Sequence, residues 1–441
     1  MQGPFGPCLG EYERGGAPPK CRMTHLVIIG AGIMGACTAL EGIARGWQVT
    51  ILDPGTPGGE QQASYGNGCW LNPLSVIPPA LPGLWKKVPK FLMDPLGPLA
   101  IRWRYFPKAA PWLVRYLAAG WTERRVLRTA HALRGLLADA PSRHLTLARE
   151  AGVAHLIERK GLMYVWADRA GFEAEALAWR IRAAVGCTWR ELDEDALRQQ
   201  EPGLDRRYRF GILTDEGASC ADPGAYVAAL VALAQARGAR LERTAATGFR
   251  IERGRLRAVT TAAGEVASEM AVITAGARSR PLAAAAGDDL PLESERGYHA
   301  EIIAPEASIR TPLMPHDGKM SVIRTANGLR AAGQVEIAGI DAEPDWRRAE
   351  ILRDHVIRTV PGLPADLPPD RVRVWLGHRP SMPDGMPCLG PSTASRDIFH
   401  GFGHGHVGLV GAPASAAIVV RLLAGEMVPE AAAFAPARFT G

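Results

Sequence analysis

The residues with chemistry to offer begin with three glycines and an acid. Gly30, Gly32 and Gly35 stand in GAGIMG, and Asp53 follows about 20 residues on, the separation at which an acid meets a ribose. Gly30 permits a tight turn, Gly32 lets a pyrophosphate approach the backbone, and Gly35 lets a helix pack closely on a strand. The N–H groups at the start of that helix, from Ile33 and Met34, meet phosphate charge. Asp53 can hydrogen-bond adenosine ribose hydroxyls, and its charge repels a 2′-phosphate. A second glycine-rich turn, Gly403-His404-Gly405-His406-Val407-Gly408, lies near the other end of the chain. There too a helix start aims N–H groups that stabilise negative charge on a bound ring or anion. Between them, Ser64-Tyr65-Gly66-Asn67-Gly68-Cys69 suits backbone approach to a flat ring system, and equally suits an ordinary loop.

Local elements must hold these groups in place. Leu26–Ile29 is a β-branched, apolar run that reads as a buried strand. An apolar stripe at helical spacing runs to Ala44, Arg45-Gly46 closes it, and Gln48–Asp53 reads as a second strand. Strand, turn, helix, strand and acid together form the context the glycine motif requires. This implies a dinucleotide without saying which. Further on, Asp222-Pro223 predicts an N-cap and a first-turn proline for a helix Ala225–Ala236. Arg250–Glu252, Arg255–Thr261 and Glu269–Thr274 read as strands, and Ala275-Gly276-Ala277-Arg278-Ser279 closes the last where doubly wound sheets place ligands. Arg124–Glu150 reads as one long helix or two with a break at Ala140-Pro141, His155–Val165 as strands, and Glu173–Val185 as an amphipathic helix. Gly297–Ile303, Ser321–Arg324, Gly328–Ala332 and Gln334–Gly339 suggest a second, mostly antiparallel sheet, followed by a helix near Glu343–Arg358.

At 441 residues and 47% hydrophobic content, the chain can bury a large core in two domains. The formal charge of +6 comes from interspersed acids and bases, which suits anionic small ligands better than nucleic acid. Seven scattered cysteines without CxxC argue against a zinc site or disulfide frame and for a reducing, cytoplasmic home. No run of about 18 uninterrupted apolar residues occurs. The nearest, Val407–Ala424, is interrupted by Pro413 and Arg421 and reads as a buried helix. Met1–Arg22 is Gly/Pro-rich with no apolar centre and reads as a disordered leader or a misassigned start. Leu81–Trp121 mixes Trp85, Phe91, Leu92 and Met93 with Lys86, Lys87 and Lys90. It reads as a lid with a basic rim, the alternative being peripheral contact with the inner face of a membrane.

VIIGAGIMG, SYGNG, VITAGARS, ERGYH, GHRPSMPDGMPCLG and GHGHVG come in the order found in the D-amino-acid oxidase superfamily. The chain resembles its D-amino-acid dehydrogenase branch, D-hydroxyproline dehydrogenases included. The resemblance implies an α/β fold: a discontinuous Rossmann-like FAD-binding domain (23–80, 124–150, 222–285 and 376–430) with a mixed, largely antiparallel substrate domain (151–221 and 286–375). Residues 81–123 would form a helical, aromatic cover. It implies FAD, with Gly30, Gly32, Ile33, Met34 and Gly35 at the pyrophosphate and Asp53 at the ribose. Ser64, Tyr65, Gly66, Asn67 and Gly68, with Ala275 and Gly276, would approach the flavin. Gly403, His404, Gly405, His406, Val407 and Gly408 would face its pyrimidine edge. Asp53 replaces the family's commoner glutamate, and Cys69 stands where the dehydrogenases have glycine, as packing or as a redox-active or covalent contact.

Arg379 matches an arginine that grips the substrate carboxylate in related oxidases, a role that a guanidinium fork suits; the alternative is an ion pair with Asp384. Tyr298, His378 and His406 are candidates to line the substrate pocket, against structural roles for each. The implied reaction is oxidation of a D-amino acid, D-proline or D-hydroxyproline among the candidates, by hydride transfer from Cα to flavin N5. Electrons would pass to a quinone or other acceptor. The rivals are an O₂-using glycine or sarcosine oxidase, a flavoenzyme acting on a modified tRNA base, and an NAD-linked dehydrogenase sharing only the first motif.

Overall fold

The structure is a computed structural model that describes residues 24–88, 93–94, 96–97 and 99–439. The expected leader Met1–Arg22 lies outside the described residues, as do Lys90, Phe91 and Leu92 of the aromatic stretch. Two sheets face each other across the functional cavity. The first begins with β1 (His25–Ile29), α1 (Ile33–Ala44) and β2 (Gln48–Leu52). Its six strands run Arg240–Glu242, β2, β1, Met270–Ile273, Ile398–Phe402 and Cys388–Pro391. All neighbours are parallel except the last pair. Such a sheet is buried on both faces, which is why its strands are continuous apolar runs. Leu26, Ile28, Val49 and Ile51 pack with α1 and the helices Pro223–Ala236 and Gly408–Leu423. Val27, Ile29, Leu52 and Ile273 pack on the other side. There the hairpin sheet Ala246–Glu252, Arg255–Thr261 and Gly264–Ala267 covers them through Leu256 and Val259.

The second sheet has nine strands. Along its main path lie Val372–Ser381, Glu293–Ile303, Gly328–Ile337, Ser321–Arg324, Leu313–Pro315, Leu162–Trp166, Phe210–Thr214 and Arg190–Leu192, and Leu99–Ile101 pairs with Gly328–Ile337. It is mixed and mostly antiparallel. The helix Arg347–Thr359 packs on one face, where Leu352 and Val356 meet Tyr298, Ala300 and Ile302. Register decides the opposite face. Glu295 pairs with Arg379, Gly297 with Gly377 and His299 with Trp375, and side chains directly opposite point the same way.

Two expectations need correcting. A domain boundary between 375 and 376 cuts the ten-residue strand Val372–Ser381, which pairs along Glu293–Ile303. Residues 376–381 therefore belong to the second sheet. Leu99–Ile101, within the expected cover, also joins that sheet. The strands Arg190–Leu192, Phe210–Thr214 and Gly264–Ala267 are short and lack a period-2 pattern long enough to mark them. Two further local signals hold. The long helix is broken into Glu123–Leu137 and Ala140–Glu150. Asp222 caps Pro223–Ala236, its Oδ1 accepting the Ala225 N–H at 2.9 Å. Among the described residues one helix, Gly405–Leu423, is long and apolar enough to cross a membrane, and two-thirds of it is buried within the protein.

Candidate active site

A cavity of about 2200 Å³ runs between the two sheets. Its first end is made of backbone. Gly30 has φ +114°, and a Cβ there would lie 2.6 Å from the Thr274 carbonyl oxygen. A Cβ on Gly35 would fall inside the van der Waals shell of the Gly30 carbonyl oxygen, so α1 packs against the turn only because glycine stands there. Gly32 by contrast faces open space, with Ser64 Oγ the nearest atom at 3.9 Å. That is the opening a pyrophosphate needs at a helix start. Ser64 Oγ accepts the Ile33 N–H at 3.3 Å. Asp53 lines the cavity, its Oδ2 accepting the Ala31 N–H and its Oδ1 the Gly55 N–H, both at 2.7 Å. The carboxylate is thereby fixed at the mouth of the turn. An open glycine, a helix N-terminus and a clamped acid along one long cavity fit FAD.

Of the residues expected to touch the cofactor, Gly30, Gly32, Ile33, Met34, Asp53, Ser64, Asn67, Gly68, Ala275, Gly276, His404, Gly405, His406 and Gly408 line the cavity. Gly35, Tyr65, Gly66, Gly403 and Val407 do not. Gly66 and Tyr65 support the loop from behind: Gly66 abuts the Trp375 ring, and the Tyr65 carbonyl accepts from Arg330 Nη1 at 3.3 Å. Cys69 lines the cavity at φ +60°. Burial pushes its thiol up to about 11 despite the nearby Arg330 guanidinium. At neutral pH it is a thiol, the form that packs rather than attacks.

The other end is made of side chains. Arg379 lies deep in the molecule with part of its surface open to the cavity. Its guanidinium lies flat over Gly297, in the space a Cβ there would fill. From that position Nη1 donates to the Gln334 carbonyl at 3.0 Å and Nη2 to the Gly333 carbonyl at 3.5 Å. The alternative ion pair with Asp384 is not formed, because Asp384 pairs with Arg438 at 2.7 Å. Burial lowers Arg379 from the ordinary arginine range, against the raising influence of Glu295. His378 also lines the cavity and meets Ser294 Oγ through Nδ1 at 2.9 Å. Burial, then the Arg296 and Arg278 charges, hold it down at about 4, so it is neutral at pH 7. His404, lowered to about 4 by burial, is spent on Ser415 Oγ at 3.0 Å.

Tyr298 does not line the cavity. It is buried on the opposite face, donating to Glu336 Oε2 at 2.7 Å and accepting the Asp345 N–H at 3.1 Å. The register that pairs Glu295 with Arg379 turns Tyr298 away. The residue that sequence reading passed over is Glu295, inside ERGYH: it lines the cavity, and its Oε2 accepts from Ser381 Oγ at 2.6 Å and His406 Nε2 at 3.1 Å. An acid in an otherwise buried strand was its only signal. Of the stretch expected as a cover, Leu81–Leu84 and Tyr116 line the cavity, while Trp85, Trp103 and Trp121 are exposed.

A mostly parallel sheet with a glycine turn at the end of its inner strand β1, and a cavity continuing to a partly buried arginine, defines a dinucleotide-dependent oxidoreductase. Residues 25–422 match the family of FAD dependent oxidoreductases named DAO, and the chain belongs to it. It is 56% identical over 417 residues to a D-amino-acid oxidase of Bradyrhizobium diazoefficiens, covering 94% of this chain and 99% of that one. It is 30% identical over 416 residues to a D-amino acid dehydrogenase of Paramagnetospirillum magneticum, covering 91% and 95%. Among solved structures, glycine oxidase from Geobacillus kaustophilus superposes with a TM-score of 0.69 at 19% identity, covering 95% of this chain and all of that one. L-proline dehydrogenase from P. horikoshii superposes with a TM-score of 0.68 at 18% identity, covering 95% and 98%. These two share the fold.

Proposed function

We propose that the chain oxidises a D-amino acid at its Cα–N bond to the imine, which hydrolyses to the keto acid or stays cyclic for D-proline and D-hydroxyproline. The observation that carries this is Arg379. Two of its five N–H donors are used by carbonyls, and the rest of the fork lies in the cavity where a carboxylate completes it. Bound FAD supplies the acceptor for the hydride that leaves Cα. Arg379 binds and orients the carboxylate, so the protein's share of the barrier is positioning. His378, neutral, adds a polar wall without a competing charge. The start of Gly408–Leu423 brings the positive end of a sixteen-residue helix to the cavity, which favours negative charge there. The names of both relatives support the D configuration.

The acceptor divides two readings. A quinone or other non-oxygen acceptor follows the dehydrogenase relatives; oxygen follows the oxidase of Bradyrhizobium diazoefficiens, the more similar of the two reported. A cytoplasmic setting, with membrane contact through 81–121, belongs to the quinone reading. It is supported by exposed Trp85 and Trp121, stacked at 6.5 Å, with Lys86 over the Trp85 ring. Flavin bleaching during an anaerobic screen of D- and L-amino acids, prolines and N-methyl amino acids tests the reaction. Peroxide formed on admitting air, against dye reduction without peroxide, decides the acceptor. Sedimentation with anionic vesicles decides the membrane contact.

A further inference from the structure

Glu295 is an unusual neighbour for Arg379. The two stand directly opposite on adjacent strands, side chains on one face, and both line the cavity. They do not pair. The guanidinium folds over Gly297 toward Gly333 and Gln334, and the carboxylate turns toward Ser381 and His406. Only Oε2 of Glu295 is engaged; among the described residues no donor reaches Oε1. The side chain is 3% exposed. Its surroundings are one-sided: His406, Arg379 and Ser381 are donors, while Tyr116 approaches from the cover helix Phe106–Ala119 and Glu293 from the strand end. Burial pushes Glu295 up, but the hydrogen bond and charge of His406, the Ser381 hydroxyl and Arg379 together hold its carboxyl below the ordinary value. The site therefore holds a buried carboxylate beside a partly buried guanidinium, each lacking part of its complement. Buried charges in that state are costly until something pairs them.

We infer that Glu295 is the ammonium subsite: it receives the α-ammonium of the zwitterion whose carboxylate Arg379 holds, and so selects amino acids over 2-hydroxy and 2-oxo acids. One tetrahedral carbon separates the two charges of such a ligand, which matches an acid and a base displayed side by side. Ser381 and His406 are positioning residues that fix the carboxylate by its inner oxygen and leave the other for the ligand. Trp112, whose Nε1–H donates to the Ser381 carbonyl at 3.2 Å, ties this pair to the cover helix. The inference rests on the amino-acid reading proposed above.

The test compares two ligands that cannot be oxidised because Cα bears no hydrogen: 2-aminoisobutyrate and 2-hydroxyisobutyrate, titrated into the flavin-loaded enzyme by calorimetry. The wild type is expected to prefer the amino acid by about tenfold or more, the scale of a charge-assisted hydrogen bond. Glu295→Gln is expected to abolish that preference while the hydroxy acid binds as before. Glu295→Asp, which keeps the charge, retains part of it. Equal weakening of both ligands in Glu295→Gln, or no change in either, overturns the ammonium subsite and leaves the amino-acid reading standing. Binding of neither ligand by the wild type contradicts the amino-acid reading and removes this inference with it. Should Glu295→Gln lose its flavin, Ser381→Ala serves instead, since it relieves Oε2 of one donor, leaves His406 to hold the carboxylate and keeps the charge. The preference then survives or grows, and its disappearance overturns the inference.

Discussion

At the Gly30 end of the cavity the walls are backbone, and the side chains that matter are the missing ones. At the Arg379 end the walls are charged side chains on two antiparallel strands. The first end is local in sequence: turn, helix start and acid all fall between His25 and Asp53. The second end is built by register, since Glu295 and Arg379 meet only because two strands pair in one alignment. A one-residue slip would carry every side chain of a strand to the other face. The backbone end should therefore fail through steric intrusion, with loss of cofactor. The side-chain end should fail through lost ligand affinity, with cofactor kept.

The largest effect is expected for Gly35→Val, which drives a branched side chain into the Gly30 carbonyl. The protein should purify without flavin absorbance and with stability reduced by about 3 kcal/mol or more. A yellow, normally stable variant would show that the turn is looser than described. Gly297→Ala comes next. Its methyl occupies the place of the Arg379 guanidinium, so KM should rise about tenfold while flavin content stays unchanged. A parallel loss of FAD would mean the two ends are not separable.

Tyr298→Phe sharpens the contrast within one strand. It removes the donor to Glu336 and the acceptor of the Asp345 N–H, at a cost of about 1–3 kcal/mol in stability. KM should not move, because the ring lies on the far face; an altered KM would return Tyr298 to the substrate.

How far the sequence reaches follows the same division. GAGIMG, its strand and its acid were readable because each signal is a residue type at a fixed short spacing. So was the Asp222 cap. Tyr298 was misplaced and Glu295 overlooked because ERGYH alternates faces, and nothing within those five residues says which face meets the cavity. The boundary at 375 and 376 failed likewise: nothing within GHRP marks it as a strand, yet it is one because Glu293–Ile303 pairs with all of it.

A last expectation concerns pH, and it touches neither the cofactor nor the substrate. His144, buried between Tyr226 and the Leu409 carbonyl, is lowered to about 4 by burial, with the Val410 and Leu409 carbonyls opposing. His299, on the strand Glu293–Ile303, is lowered to about 3 by burial and then by Arg330. A base depressed in the folded state is protonated first in the unfolded chain. Its stabilising share is complete above pH 6.5 and is lost as pH falls toward 4. Each contributes a slope of up to about 1.4 kcal/mol per pH unit in that window. Tm should fall from pH 7 to pH 4, and His144→Gln should flatten the decline. A Tm independent of pH across that range would show that these imidazoles are not held neutral.

The central claim, that one cavity joins a flavin to an amino-acid carboxylate held by Arg379, has a direct test. Purified protein is mixed anaerobically with D-amino acids and its flavin absorbance followed, beside Arg379→Ala at equal flavin content. The account predicts rapid bleaching in the wild type, with half-saturation shifted upward about a hundredfold in the variant. Equal bleaching curves for the two proteins, or a wild-type flavin that no amino acid reduces, would contradict it.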